Sequence, residues 1–384
     1  MSPENRVAYD LPSEKVECIE SPASDSLTKK FLNFPVRFWK IRAIKKKFGS
    51  RLTLSFLEPA NLFNVLTKSS TERVVLSFRG HYSNDISHSP FWGRGITKYL
   101  VVFLYKIAFR LFYNRADLMV AVSHSARKDL VENFHLDPRK IEVIYNPVFL
   151  DEVVSRSGEG LGEHEILFKF PTLITAGRLT KQKGQWYLLR VFRELKRFFG
   201  ELKLLILGEG ELRDYLVRLS FELGLRSYVW DRDDLSEEYD VYFLGFQSNP
   251  FKYLANSTLF VFPSLWEGFP NALLEALACG VPVVSSDCRS GPREILSPLT
   301  DFDYQTSVPE FAEYGVLMPP FEAKLKGADE PLDEVERMWV DVIAKLLRDE
   351  ALRREYSLKG KERAKEFDIK VIAQKWKKVL EGCL

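Results

Sequence analysis

Short apolar runs alternate along this chain with stretches of helical spacing, and the clearest example spans residues 259–287, LFVFPSLWEGFPNALLEALACGVPVVSSD. Residues 259–262 and 281–285 read as buried strands. Between them the spacing predicts a helix over 270–279. Pro270 suits the first helical position, Gly280 suits the left-handed residue just past the end, and Pro282 forbids continuation. Leu273, Leu274 and Leu277 then face a sheet. The result is a βαβ unit whose loop, WEGFP, meets a helix N-terminus at the carboxyl edge of a sheet. Open α/β sheets bind ligands at that edge, and the unpaired N–H groups there suit anions.

The same alternation continues on both sides. Strands are predicted at 51–58 and 73–78 with a helix at 59–68 between them, and another strand candidate lies at 16–19. Residues 116–149 give a strand, a helix capped by Ser123, and a strand ending in YNPV, where Asn146-Pro147 is a turn signal fitting a hinge. Residues 151–164, rich in Gly, Glu and Ser, read as a linker. Strand, loop and helix follow at 172–184, 202–216 and 240–257. From Asp333 onward the pattern is helical, with Trp339, Val342 and Leu346, then Phe367, Ile372, Trp376 and Leu380 on repeating faces.

Two stretches carry a different pattern. In residues 27–50, Phe31, Phe34, Phe38, Trp39, Ile41 and Ile44 recur near helical spacing among eight lysines and arginines, with Pro35 either kinking the helix or starting it. An anionic membrane surface fits that mixture, and so does a helix packed on a sheet with a solvated basic face. Residues 91–115 are apolar and aromatic with Arg94, Lys98, Lys106, Arg110 and Arg115 spaced through them. They read as a helix on a sheet or as a second membrane-facing element.

Charge sharpens this. Residues 1–150 hold 23 Lys and Arg against 14 Asp and Glu, whereas the remainder holds 32 against 39. The first half therefore suits an anionic partner, and no nucleic-acid motif accompanies the charge. A chain of 384 residues with 46% hydrophobic positions is long enough for two globular domains. The four cysteines stand far apart, in no disulfide or zinc pattern, which fits a reducing cytoplasm. The polar, acidic start predicts no signal peptide, and no apolar run is long enough to span a bilayer.

Glu267 in the central loop and Glu275 inside its helix enclose Gly268, Phe269, Pro270 and Asn271. This Glu-x7-Glu string resembles the signature of glycosyltransferase family 4, retaining enzymes of GT-B fold that use nucleotide-sugar donors. The resemblance implies an α/β chain of two Rossmann-like domains facing across a cleft. An acceptor-side domain is expected over 1–155, a nucleotide-sugar-binding domain over 165–365, and a last helix, 368–384, crossing back onto the first. The family usually opens with an apolar strand and a Gly-Gly loop. The opening MSPENRVAYDLPSEK resembles the segment after them, so an incomplete N-terminal sheet with an exposed edge is expected.

Residue by residue, TLITAGRLTKQKG resembles the family's Gly-Arg-Leu plus Lys-Gly motif, whose Arg and Lys, here Arg178 and Lys183, contact the donor diphosphate. The physical need is plain: breaking a sugar–phosphate bond leaves extra negative charge, which fixed cations stabilise. Arg offers a planar fork and Lys a point charge. By the same resemblance Gly208 and Gly210 lie near the diphosphate and base, letting backbone approach the ligand, and Phe246 lies beside the base. Glu275 holds the ribose hydroxyls. Glu267, with Gly268, Phe269 and Asn271, orients the sugar. Arg79 and His81 in RGHYSN stand where the family places a residue that reaches the donor sugar.

The triplets Asp231–Asp233 and Asp301–Asp303 follow no apolar strand and read as solvated loops. No metal or other cofactor is expected, since Arg178, Lys183 and a helix N-terminus supply positive charge. The leading reading is a retaining glycosyltransferase that transfers a sugar to a hydroxyl of a lipid-linked glycan, in surface polysaccharide or lipopolysaccharide assembly. It would be cytoplasmic, or peripheral on the inner face of the cell membrane. Two other readings stay open: a truncated, non-catalytic GT-B binding subunit, and a nucleotide-sugar epimerase on the same fold.

Overall fold

Two open sheets carry the chain, and they bury their strands in different ways. The structure is a computed structural model that describes residues 27–88 and 96–384. The strand candidate at 16–19 and Arg94 lie outside the described residues. In chain order the first half reads α1 (Leu27–Phe48), β1 (Leu52–Phe56), α2 (Ala60–Leu66), β2 (Arg73–Phe78), α3 (Tyr82–His88), α4 (Ile96–Tyr113), β3 (Leu118–Ala121), α5 (His124–Glu132) and β4 (Ile141–Val143). The second half begins with α6 (Leu150–Ser157), β5 (Thr172–Ala176), α7 (Gln185–Lys196), β6 (Lys203–Leu207), α8 (Arg213–Glu222), β7 (Ser227–Val229), β8 (Val241–Phe243) and α9 (Phe251–Asn256). It continues with β9 (Leu259–Phe262), α10 (Asn271–Cys279), β10 (Val283–Ser286), α11 (Pro292–Leu296), β11 (Glu310–Phe311), β12 (Val316–Met318), α12 (Glu334–Arg348), α13 (Glu350–Lys365) and α14 (Ile369–Glu381).

The first sheet runs β1-β2-β3-β4 in strict chain order, all parallel. Right-handed crossovers that all advance in one direction put their helices on one face. On that face Val74, Leu76, Phe78 and Met119 pack with Val65, Phe109 and Leu130. The alternate residues Val75, Val120 and Ile144 point the other way and meet Ile372 of α14, with Trp376, Val379 and Leu380 beside it. Among the described residues β1 ends the sheet, and its side chains are only half-buried or exposed.

The second sheet runs β11-β12-β10-β9-β5-β6-β8-β7, parallel except at β11. From β5 the chain builds outward through β6, β8 and β7 on one side. It then returns to add β9, β10 and β12 on the other. That reversal opens a crevice between the carboxyl ends of β5 and β9. Both faces of these strands are covered. Ile174, Leu205 and Phe260 join the core shared with the first sheet, while Leu173, Leu204 and Val261 pack under Trp186 of α7 and Trp339 of α12.

Local signals place the helix ends. Gly280 is left-handed (φ 75°) at the end of α10, while Pro270 is the residue before the helix rather than its first. Asp333 caps α12 in a reciprocal box with Glu336. Ser123 caps α5, accepting from Ala126 N at 3.0 Å. Pro35 lies inside α1, which is one continuous helix. The expected linker, 151–164, is largely ordered structure: α6 buries Val153 and carries an Arg156–Glu152 pair at 2.8 Å, and a 3-10 turn follows over Gly162–Lys169. The crossing lies upstream of it. Val148 N donates to Phe367 O at 2.8 Å and Ile369 N to Val148 O at 2.9 Å, so the chain's two passages between the sheets are bonded side by side.

Candidate functional site

Loops from the crevice strands supply the charged groups. The loop after β5 carries Arg178 and Lys183, and the loop after β9 carries Glu267. Leu265 N donates to Gln182 O at 2.8 Å, and Gln182 Nε2 donates to Trp266 O at 2.7 Å, stitching the two loops together. Gly184 is left-handed, and a Cβ there would meet Pro263 O at 2.4 Å, so only glycine permits this approach. Lys183 Nζ donates to Glu267 Oε1 at 2.6 Å, with both side chains largely buried. Arg178 is exposed at the mouth, with no carboxylate partner among the described residues.

The first sheet contributes the opposite wall. A cavity of about 420 Å³ opens between the loops, lined by Glu58, Arg79, His81, Asp85, Arg178 and Glu267, with Gly268 and Phe269 at its floor. Gly268 lets the walls meet, since a Cβ there would lie 2.4 Å from Arg79 O. Phe269 stacks on Tyr145 of the first domain with centroids 4.6 Å apart, and its carbonyl accepts from Asn146 Nδ2 at 2.9 Å. Glu294 of α11 reaches across to the N-terminus of α5, accepting from His124 N at 2.8 Å and Ser125 N at 3.0 Å.

Arg79 and His81 are under-partnered in this wall. Burial lowers the Arg79 pKa, its Nη1 has no hydrogen-bond partner, and its guanidinium lies 5.4 Å over the Phe56 ring. His81 Nδ1 sits 3.4 Å from Asp129 Oδ2 without hydrogen-bond geometry. Burial pulls the imidazole pKa down against the raising influence of Asp129, leaving it neutral near pH 7. Glu58 has one buried oxygen without a partner, and burial pushes its carboxyl up. A guanidinium with one nitrogen and a carboxyl with one oxygen left without a hydrogen-bond partner among the described residues, both lining a cavity, are costly unless a ligand completes them.

Sequence reasoning brought Arg79, His81, Arg178, Glu267, Gly268 and Phe269 to this one cavity, with Lys183 behind Glu267. The remaining candidates lie outside its lining. Glu275 is half-buried on α10, where burial and then the Glu152 charge of α6 raise its pKa. Asn271 opens α10 and its Oδ1 accepts from Asn146 Nδ2 at 2.7 Å. At Gly208 and Gly210 the close neighbour is protein: an added Cβ would meet Gly177 O at 2.0 Å and Leu179 O at 2.4 Å. These glycines let three loops zip together, with Gly208 N donating to Gly245 O at 2.8 Å. Phe246 is 77% exposed beyond them, not core.

The two Asp-x-Asp triplets engage cations of the protein. Asp231 pairs with Arg213, and Asp303 with Lys128. Among the described residues no three His, Cys, Asp or Glu gather as a metal site. Glu58, Asp85 and Gln182 line the cavity and were missed. Glu58 had a readable signal, standing at the carboxyl end of a predicted strand just before Pro59.

Comparison with known proteins matches this architecture. Residues 11–152 match the family described as Glycosyltransferase Family 4, and residues 170–313 match Glycosyl transferases group 1. The chain is 35% identical over 361 residues to an uncharacterized glycosyltransferase of Methanocaldococcus jannaschii, covering 91% of this chain and 83% of that protein. It is 30% identical over 380 residues to the N-acetylgalactosamine-N,N'-diacetylbacillosaminyl-diphospho-undecaprenol 4-alpha-N-acetylgalactosaminyltransferase of Campylobacter jejuni, covering 98% and 89%. Among solved structures, HepE of Anabaena in complex with UDP-glucose superposes with a TM-score of 0.66 at 17% identity, over 90% of this chain and 82% of that one. With its two sheets, its crevice at the β5–β9 reversal and these relatives, the chain belongs to glycosyltransferase family 4 and has the GT-B fold.

Proposed function

We propose that this protein is a retaining glycosyltransferase that moves a sugar from a nucleotide-diphosphate donor to a hydroxyl of a lipid-linked glycan. One observation carries the reading: the cavity at the strand-order reversal joins exposed Arg178 and the Lys183–Glu267 pair to Arg79 from the facing sheet, whose Nη1 lacks a hydrogen-bond partner among the described residues. Cations on two walls suit a diphosphate leaving group. The N-terminus of α10 adds to them, having no side-chain cap of its own. Glu267 and the Gly268–Phe269 backbone orient the sugar, and Glu275 holds the ribose. The bond from the anomeric carbon to the phosphate oxygen breaks as the acceptor oxygen bonds the same face. The acceptor proton passes to the departing phosphate oxygen. No metal is needed in this scheme.

A lipid-linked acceptor fits the outer surface of the first domain. The Campylobacter relative's name places its own acceptor on diphospho-undecaprenol. Here α4 exposes Tyr99, Leu100, Phe103, Leu104, Ile107 and Leu111 along one side while burying Phe109 and Tyr113 on the other. On α1, Trp39 and Phe48 are exposed among Arg42, Lys46 and Lys47. An exposed apolar face beside basic residues suits the interface of an anionic membrane. No described helix is long and apolar enough to cross one.

The test is a transfer assay over a panel of nucleotide sugars with a lipid diphosphate-linked acceptor, comparing the wild type with Arg178→Ala. A loss of roughly 10²–10³-fold in kcat is expected from removing one fixed charge-stabilising group. Thermal unfolding should stay unchanged, since the side chain is exposed. Undiminished turnover overturns the assignment. Inversion at the anomeric carbon overturns the retaining course.

A further inference from the structure

The first domain has a second concave site at the opposite end of its sheet. β2 runs from Arg73 to Phe78, and Arg79 at its carboxyl end faces the catalytic cavity. At its amino end, roughly 20 Å away by strand rise, a cavity of about 500 Å³ lies between the last turn of α1 and the α2–β2 loop. Arg42, Lys45, Lys46, Arg51 and Lys68 line it, with Glu72 as the single carboxylate.

The charges inside it are unevenly matched. Glu72 is buried and fully engaged: it takes Lys45 Nζ at 2.8 Å, Thr53 Oγ1 at 2.6 Å and Ser69 N at 3.2 Å. Lys68 is held by Asp117 at 2.7 Å and by Arg115 O at 2.9 Å. Arg42 leans over the Trp39 ring at 5.9 Å, and neither Lys46 nor Arg51 has a carboxylate partner among the described residues. Basic residues in a last helical turn are often explained by the helix dipole. α1 and α2 both end here, and their carbonyl ends amount to about half a negative charge each. That leaves about two positive charges uncompensated in a concave pocket whose rim also offers the hydroxyls of Ser50, Ser69 and Thr71.

We infer that this pocket binds a phosphate group carrying two negative charges, independently of the donor cleft. The chemistry is that of a phosphate monoester or diphosphate: Arg42 and Arg51 present forked donors, Lys46 a point charge, and the hydroxyls complete the oxygens. Its source is either a lipid headgroup, reached when α1 and α4 lie on a bilayer, or a free anion from solution.

The experiment uses the full chain with its interdomain cleft saturated by a nucleoside diphosphate. One arm titrates inorganic pyrophosphate calorimetrically. The other sediments the protein with phosphatidylcholine vesicles that contain either phosphatidic acid, whose headgroup is a phosphate monoester, or phosphatidylglycerol, a singly charged diester. Each compares the wild type with Lys46→Ala/Arg51→Ala and with a charge-matched control in the second domain, Arg218→Ala/Arg337→Ala. All four side chains are exposed, so the fold should survive. The pocket pair should weaken binding by about tenfold or more, and the control pair by far less. A loss confined to the pyrophosphate arm identifies a free anion, and one confined to vesicles with phosphatidic acid identifies the headgroup. Equal binding by the pocket variant and the control in both arms overturns the inference.

Discussion

The two sheets of this protein are parallel but for β11, yet among the described residues only one makes a binding crevice alone. The second reverses strand order between β5 and β9, so adjacent loops diverge and leave a gap that Arg178, Lys183 and Glu267 fill. Among the described residues the first advances β1 to β4 without a reversal, so the loops of those strands line up along one edge and form a wall. The division of labour follows from topology. The second sheet holds the stitched Lys183–Glu267 pair beside exposed Arg178, and the first offers Arg79 and Glu58, each with one atom lacking a hydrogen-bond partner among the described residues, across a contact that Gly268 keeps close. Burial differs in parallel. Helices formed within the second half cover both faces of its sheet. One face of the first sheet depends on α14, whose chain arrives from the other domain.

That dependence is the strongest point at which to break the comparison. Ile372 is 1% exposed and is the one fully buried α14 residue against Val75, Val120 and Ile144. Ile372→Ala should cost about 2–4 kcal/mol from lost burial and a residual cavity. The cost should fall on one sheet. Amide exchange in β2 and β3 should accelerate about thirtyfold or more, while β5, β6 and β9 keep their protection. Equal acceleration in both sheets would mean that they unfold as one unit.

A smaller effect separates the two kinds of arginine. Arg178 is exposed, and its loss should leave stability alone. Arg79 is half-buried with one nitrogen lacking a hydrogen-bond partner among the described residues, so its charge burdens the unliganded fold. Arg79→Met should therefore raise stability by about 1–2 kcal/mol, less a part for the lost contact with Phe56. Transfer should fall about tenfold or more. Read by thermal unfolding and turnover together, a variant both less stable and fully active would remove Arg79 from the site.

What the sequence made legible follows the same line. Strands covered on both faces are uninterrupted apolar runs, so 259–262 and its neighbours were plain. Pro270 and Gly280 bounded α10 to within a residue because both act through backbone geometry. Phase was harder. The position of Glu275 relative to the cavity depends on what α10 packs against, and one neighbour, α6, came from a stretch whose Gly, Glu and Ser read as linker. Glycine had a related ambiguity. Gly208 and Gly210 announce a close approach, but composition cannot say whether a ligand or the backbone of Gly177 and Leu179 makes it. In the first domain, Glu58 had only its place at a strand end as a signal, and Asp85, which belongs to no motif, joins the lining of the candidate cavity only when the loops are folded together. α4 leaves two readings open, a helix on a sheet or a membrane-facing element, because basic residues interrupt its apolar pattern; it buries Phe109 and Tyr113 while one long side of it is exposed.

Glu58 gives the finest test, because it asks whether the first wall presents an acid rather than a carboxylate. Its pKa is raised above the ordinary 4.5, chiefly by burial, against lowering hydrogen bonds from Tyr113, the Leu62 backbone and Asn61. A raised folded-state pKa favours the protonated form on folding. Its contribution is therefore fully present below the ordinary value and is lost as pH rises through the raised one. Glu58→Gln keeps the shape and the acceptor for Tyr113 but cannot ionise. Relative to the wild type it should be neutral near pH 4 and more stable by pH 8, with the gain growing between. Glu275 and Glu294 are also raised by burial, but they are common to both proteins and cancel in the difference. Thermal unfolding of the pair across that range decides it. A gap that stays flat with pH would mean Glu58 carries its charge in the empty cavity, and the first wall would then match the second in holding ionised groups.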